Sequence, residues 1–195
     1  MLALAGILTT IVVIAILGTG PFFRLWIGAE AAARSTRAGE LMLLGVWIRS
    51  LSWIPYALLQ AQGRPNLTAK LHVVELLPFV GLLWVGSRFG GVAGAAAVWC
   101  VRVAADAAFL FKAAGISRGV VIRLIPSTIL ITLAPASSAS LGDHLIIRAV
   151  LAAGLGMAAI FVAYSTSPEV TQVLLRRMRM ILARAERLAL PATSD

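Results

Sequence analysis

Six apolar runs follow one another along the chain, four near the length that crosses a bilayer and the third and fifth shorter. An α-helix rises 1.5 Å per residue, so a hydrocarbon core of about 30 Å takes about 20 residues. The runs are Leu2–Gly18, Leu41–Gln60, Leu71–Val85, Val92–Phe111, Val120–Ala134 and Ile146–Tyr164. None alternates apolar and polar positions over about ten residues, as strands of a membrane barrel do. A soluble fold is excluded by composition. Of 195 residues, 60% are hydrophobic and 13% are charged, with a mean hydropathy of +0.94. Soluble domains carry about 25% charge, so this much apolar surface needs lipid as its solvent. The expected fold is therefore all-α. It is a polytopic membrane helix bundle of about six transmembrane helices in residues 1–165, followed by a basic tail in residues 166–195. No Lys or Arg precedes Arg24, so the first run lacks the basic start of a signal peptide and is expected to be a span.

Turn-forming residues separate the runs. Gly18-Thr19-Gly20-Pro21 is expected to end the first, and Gly63-Arg64-Pro65-Asn66 to part the second from the third. Asn66 or Thr68 is the expected cap of the third helix. Residues Gly86 to Gly91 are expected to turn into the fourth, and Pro135 with Ser137-Ser138-Ala139-Ser140 to close the fifth. Leu174 to Leu190 reads as an amphipathic helix resting on an anionic membrane surface.

The net charge is +9, from 17 Lys+Arg against 8 Asp+Glu. These cations lie between and after apolar runs, with no basic and aromatic stripe, which favours membrane lipids as partners over nucleic acid. With six spans both termini share a side. Arg64, Lys70, Lys112, Arg118, Arg123 and the Arg-rich tail fall on that side, and Arg24, Arg34, Arg37, Arg88 and Arg148 on the other. The excess places both termini in the cytoplasm and the segments Pro21–Glu40 and Pro135–Ile146 outside. Cys100, the single cysteine, lies within an apolar run, so disulfides are excluded.

Charges inside spans are costly and mark candidate sites. Arg49 shares a helical stripe with Ser52, Trp53, Tyr56 and Gln60. It either lines a wet cavity or satisfies carbonyls in a packed interface. Arg102 and Asp106 are four apart, placed to pair along one helix face or to form a cationic site tuned by the carboxylate. Glu75 lies one turn after His72, either as an interfacial residue or as a carrier of a proton or cation during transport. Gly90-x-x-x-Gly94 and Gly154-x-x-x-Ala158 let helix backbones approach. Hydrolase, metalloprotease and phosphate-loop motifs are missing, so neither an enzyme nor a bound cofactor or metal is expected.

Four local patterns then come in order. They are Pro21-Phe22-Phe23-Arg24-Leu25-Trp26-Ile27-Gly28, Leu58-Leu59-Gln60-Ala61-Gln62-Gly63-Arg64, Thr68-Ala69-Lys70-Leu71-His72-Val73-Val74-Glu75-Leu76, and Gly90-Gly91-Val92-Ala93-Gly94 through Trp99 to Arg102 and Asp106. Over residues 1–114 this series resembles the polysaccharide-biosynthesis flippases of the multidrug/oligosaccharidyl-lipid/polysaccharide exporter superfamily, in its O-antigen and capsule branch. The resemblance implies the C-terminal portion of a two-lobed transporter in the cytoplasmic membrane, with lipid-linked oligosaccharide as cargo. A missing N-terminal lobe, or a separate partner chain, would complete the path. It implies substrate-binding roles for Arg49, Tyr56 and Arg102, and ion-coupling roles for Glu75 and Asp106. A drug or cation antiporter portion and a non-transporting membrane scaffold subunit stand as alternatives.

Overall fold

A computed structural model describes residues 2–140, 150, 153–159 and 161. The long elements are α1 (Leu2–Ile27), α2 (Ala29–Ala61), α3 (Pro65–Ala113) and α4 (Arg118–Ser140), and no strand occurs among the described residues. All four are long and apolar enough to cross a membrane. The first five apolar runs are helical. Of the sixth, residues 150, 153–159 and 161 are helical; its remainder, the Leu174–Leu190 segment and the 166–195 tail lie outside the described residues.

Helix ends depart most from the sequence expectation. Pro21–Glu40 is not an irregular connection. Helix α1 runs through Pro21 to Ile27, Gly28 turns the chain at φ 84°, and α2 starts at Ala29. The start of α2, Ala29-Glu30-Ala31-Ala32-Ala33-Arg34, is too polar for a span yet rich in the best helix former. An exposed Glu30–Arg34 pair at 2.9 Å adds i,i+4 support. Its 33 residues span about 50 Å, more than a bilayer core, so α2 continues into water. Helix α4 runs through Pro135 and its described extent ends at Ser140, within the Pro135–Ser140 stretch expected to close it.

The third and fourth runs are the two arms of α3, residues 65–90 and 92–113. Helical geometry persists to Gly90 and breaks at Gly91 alone (φ 56°, ψ −142°), a conformation open to glycine and strained for other residues. The arms fold back on each other. A Cβ on Gly94 would overlap the backbone carbonyl of Gly86, so both positions must be bare for the backbones to meet. At the start of α3, neither Asn66 nor Thr68 acts as a cap. Pro65 opens the helix without a side-chain cap, and the Thr68 hydroxyl donates to the Pro65 carbonyl at 2.7 Å. Proline at the first turn has no N–H to leave unsatisfied, which lightens the need for a cap.

Helix α2 is central, packed on α3 along one side and α1 along the other, while α1 also contacts α4. The main core joins Val13, Ile16 and Leu17 of α1 to Trp47 and Leu51 of α2 and Ile131 of α4. Within it the Trp47 indole donates to the buried Thr9 hydroxyl at 2.9 Å. One turn beyond Ile131 on α4, Arg37 donates to the Pro135 carbonyl at 3.0 Å. A second cluster of Leu59, Leu110 and Ala114, with Tyr56, Leu67 and Ile116 against it, ties the α2–α3 turn to the α3–α4 turn. It brings Arg64, Lys70, Lys112 and Arg118 to one end of the bundle.

Candidate functional site

The polar residues of three helical segments meet in one groove between α2 and the two arms of α3. From α2, the 3.6-residue period brings Arg49, Ser52, Trp53 and Tyr56 to one side. They line a small cavity of about 100 Å³ together with His72 and Leu110. A neighbouring cavity of about 330 Å³ is lined by Arg49, His72, Trp99, Arg102, Val103 and Asp106. Arg49 and His72 border both, so the two cavities form one polar depression.

The charges pair between segments. Arg49 Nη1 donates to Asp106 Oδ2 at 2.8 Å, and Arg102 Nε faces Glu75 Oε2 at 3.5 Å. Arg102 and Asp106, expected to pair along one helix, thus each take a partner from another segment. The cause is packing: the α3 hairpin lays Glu75 beside Arg102, and α2 presents Arg49 to Asp106. At 3.5 Å the Arg102–Glu75 contact is an ion pair without hydrogen-bond geometry, which leaves both atoms short of a hydrogen bond. The Arg102 guanidinium also lies over the Phe79 ring, 4.6 Å from its centroid, where the ring face offsets part of the cost of its desolvation.

Burial is unequal within the pairs. The Asp106 side chain is 4% exposed, whereas Arg49 is 46% exposed and opens to the depression. Asp106 Oδ1 and His72 Nδ1 are buried without a hydrogen-bond partner among the described residues. His72, Glu75 and Asp106 each bring one ligand atom within 4.8 Å of the others. Such a set offers one imidazole and two carboxylates to a proton or cation, with guanidinium groups competing for the same oxygens.

Every candidate named from the sequence borders this region. Arg49, Tyr56, Arg102 and Asp106 line the cavities, and Glu75 reaches it through Arg102. Gln60, the last polar residue of the α2 stripe, is instead turned toward Thr68 at 3.5 Å. Sequence reasoning gave His72 no definite place here. His72 carries a weak signal, a titratable ring one turn before Glu75. Trp99, which the sequence offers with Trp53 and Tyr56 as a face to stack on a sugar or as a packing residue, lines the larger cavity and also packs on Gly45, where a Cβ would overlap its ring.

A multi-pass helical membrane protein with a guanidinium-bearing groove is the class these features define. Over 100 residues the chain is 32% identical to a protein of Shigella flexneri described as "Putative O-antigen transporter". The matched stretch is 51% of this chain and 24% of that relative, so the chain corresponds to about a quarter of the relative's length. The likeness supports the polysaccharide-flippase resemblance, and with the apolar helices it supports membrane transport. No family model and no solved structure matches the chain.

Proposed function

We propose that the chain forms part of a flippase that moves a lipid-linked oligosaccharide across the cytoplasmic membrane for polysaccharide biosynthesis. The observation that carries this reading is the Arg49 guanidinium, half exposed to a polar groove inside an apolar helix bundle while its counter-ion is buried. A lipid carrier keeps its tail in the bilayer, but its phosphates and sugars need polar shelter. The planar donor fork of arginine suits phosphate oxygens. In this reading Arg49 and Arg102 hold the phosphates and Tyr56 contacts the first sugar. Trp53 meets Tyr56 edge-on at 5.6 Å and extends that aromatic wall. Glu75 and Asp106 release their guanidinium partners to the phosphates and take up a proton or cation in exchange. The bundle has about six spans with both termini in the cytoplasm, by the distribution of Lys and Arg. In this reading a further lobe, in the same or a separate chain, closes the path, and the relative's greater length supports it.

The test is reconstitution into proteoliposomes, alone and with the lobe that completes the transporter, using a fluorescent lipid-linked oligosaccharide and a saccharide-modifying enzyme outside. Transfer of the labelled sugar to the protected side, lost in Arg49→Ala and Arg102→Ala, is the expected result. Unchanged transfer in both variants rejects these site assignments. Transport of a cationic drug with no movement of the saccharide would establish the antiporter alternative instead.

A further inference from the structure

A second concavity lies away from the charged groove, between α2, the second arm of α3 and α4. Its volume is about 710 Å³, and its walls include Leu51, Phe111, Leu124 and Ile129. Among the described residues, the only charged ones lining it are Lys112 and Arg118, both at the turn where α3 passes into α4. We propose that this concavity is a binding site for an anionic phospholipid of the surrounding bilayer, with one acyl chain along the groove and its phosphate held between Lys112 and Arg118.

Three observations converge on that occupant. The first is charge. A cationic end and an otherwise apolar trough match a molecule with an anionic head and a hydrocarbon chain, and a zwitterionic head gains less there because its own cation offsets the phosphate. The second is length. Along α4 the lining runs from Arg118 to Ile129, about 16 Å at the helical rise, which is half of a core about 30 Å thick and so the depth of one leaflet. The third is access. None of the described residues of the sixth run lines the trough, and Gly156 lies instead beside Thr10 and Ile14 of α1.

The lipid carrier of the transport reading is not the occupant. Arg102 lies ten residues before Lys112 on the same arm, about 15 Å away along the helix, so one headgroup cannot serve both cationic centres. The assignment rests on the membrane-spanning character of the chain and not on the flippase reading.

Native mass spectrometry of the full chain in neutral detergent, titrated with phosphatidylglycerol or phosphatidylcholine, tests the site. The wild-type chain is expected to retain phosphatidylglycerol in preference. Lys112→Gln with Arg118→Gln should weaken that retention about twenty-five-fold, each cation contributing about a factor of five. The charge-preserving pair Lys112→Arg and Arg118→Lys should restore it. Thr128→Phe, which fills the trough without touching charge, should weaken retention of both lipids. Helicity by circular dichroism identifies a variant that has failed to fold, and the charge-preserving and trough-filling variants then decide the matter. Equal retention of the two lipids, no loss in the neutralised variant, or preferential retention of a polyprenyl phosphate over phosphatidylglycerol that is itself lost in the neutralised variant would each overturn the assignment.

Discussion

Arg49 of α2 and Asp106 of α3 meet at 2.8 Å, with the carboxylate buried and the guanidinium half in the open. The asymmetry makes the two members unequal in mutation. Removing Arg49 leaves a buried carboxylate without its hydrogen-bonded counter-ion, whereas removing the carboxylate leaves a guanidinium that still reaches water. Breaking a fully buried pair costs about 3–5 kcal/mol, and the exposure of Arg49 reduces that here to about 2 kcal/mol for Arg49→Ala. Asp106→Asn keeps a hydrogen-bond acceptor and should cost about 1 kcal/mol. Arg49→Ala with Asp106→Ala should cost less than the sum of the single alanine variants, by about 1 kcal/mol of coupling. Thermal unfolding in detergent gives the cycle, and strict additivity would show that the pair does not form.

Close approach between α2 and the second arm of α3 depends on Gly45, which a Cβ would drive into the Trp99 ring. Gly45→Ala should therefore destabilise by about 1–3 kcal/mol through overpacking, despite the better helix propensity of alanine. Trp99→Leu added to Gly45→Ala should recover part of that loss, because the smaller side chain frees the space. The melting temperatures of the two variants in the same detergent decide the point. A Gly45→Ala chain as stable as the wild type would mean the helices do not approach this closely.

What the sequence disclosed follows from what hydropathy measures. The first five apolar runs were legible as helices because long apolar windows stand out in hydropathy, and Arg49, Glu75, Arg102 and Asp106 stood out because charge inside such runs is costly. The ends were not. The start of α2 is helical through alanine propensity and a Glu30–Arg34 pair, neither of which hydropathy registers. Partner choice was equally hidden. Asp106 is four residues from Arg102 but pairs with Arg49, fifty-seven positions earlier, and only the packing of α2 on the α3 hairpin decides between them. Of the Gly90-x-x-x-Gly94 pair, only Gly94 makes a close backbone approach, while Gly90 has open space where a Cβ would go. The surface that Gly94 meets is Gly86 on the opposite arm of the same hairpin.

That hairpin supports the last prediction, since the Arg102–Glu75 ion pair spans its arms. At Gly94 any Cβ would strike backbone, which cannot swing aside as a side chain can, so Gly94→Ala must push the arms apart. Gly81 lies on the first arm of the same hairpin with open space where its Cβ would go and no positive φ. Gly81→Ala should stabilise by about 0.5–1 kcal/mol, because alanine loses less backbone freedom in a helix. Gly94→Ala should destabilise by about 1–3 kcal/mol and lower saccharide transfer in proteoliposomes, because separated arms no longer hold Arg102 against Glu75. The same chemical change at two positions of one hairpin thus has opposite expected signs, which separates helix propensity from backbone contact. Melting curves shifted alike by the two substitutions would show that the arms do not touch at Gly94.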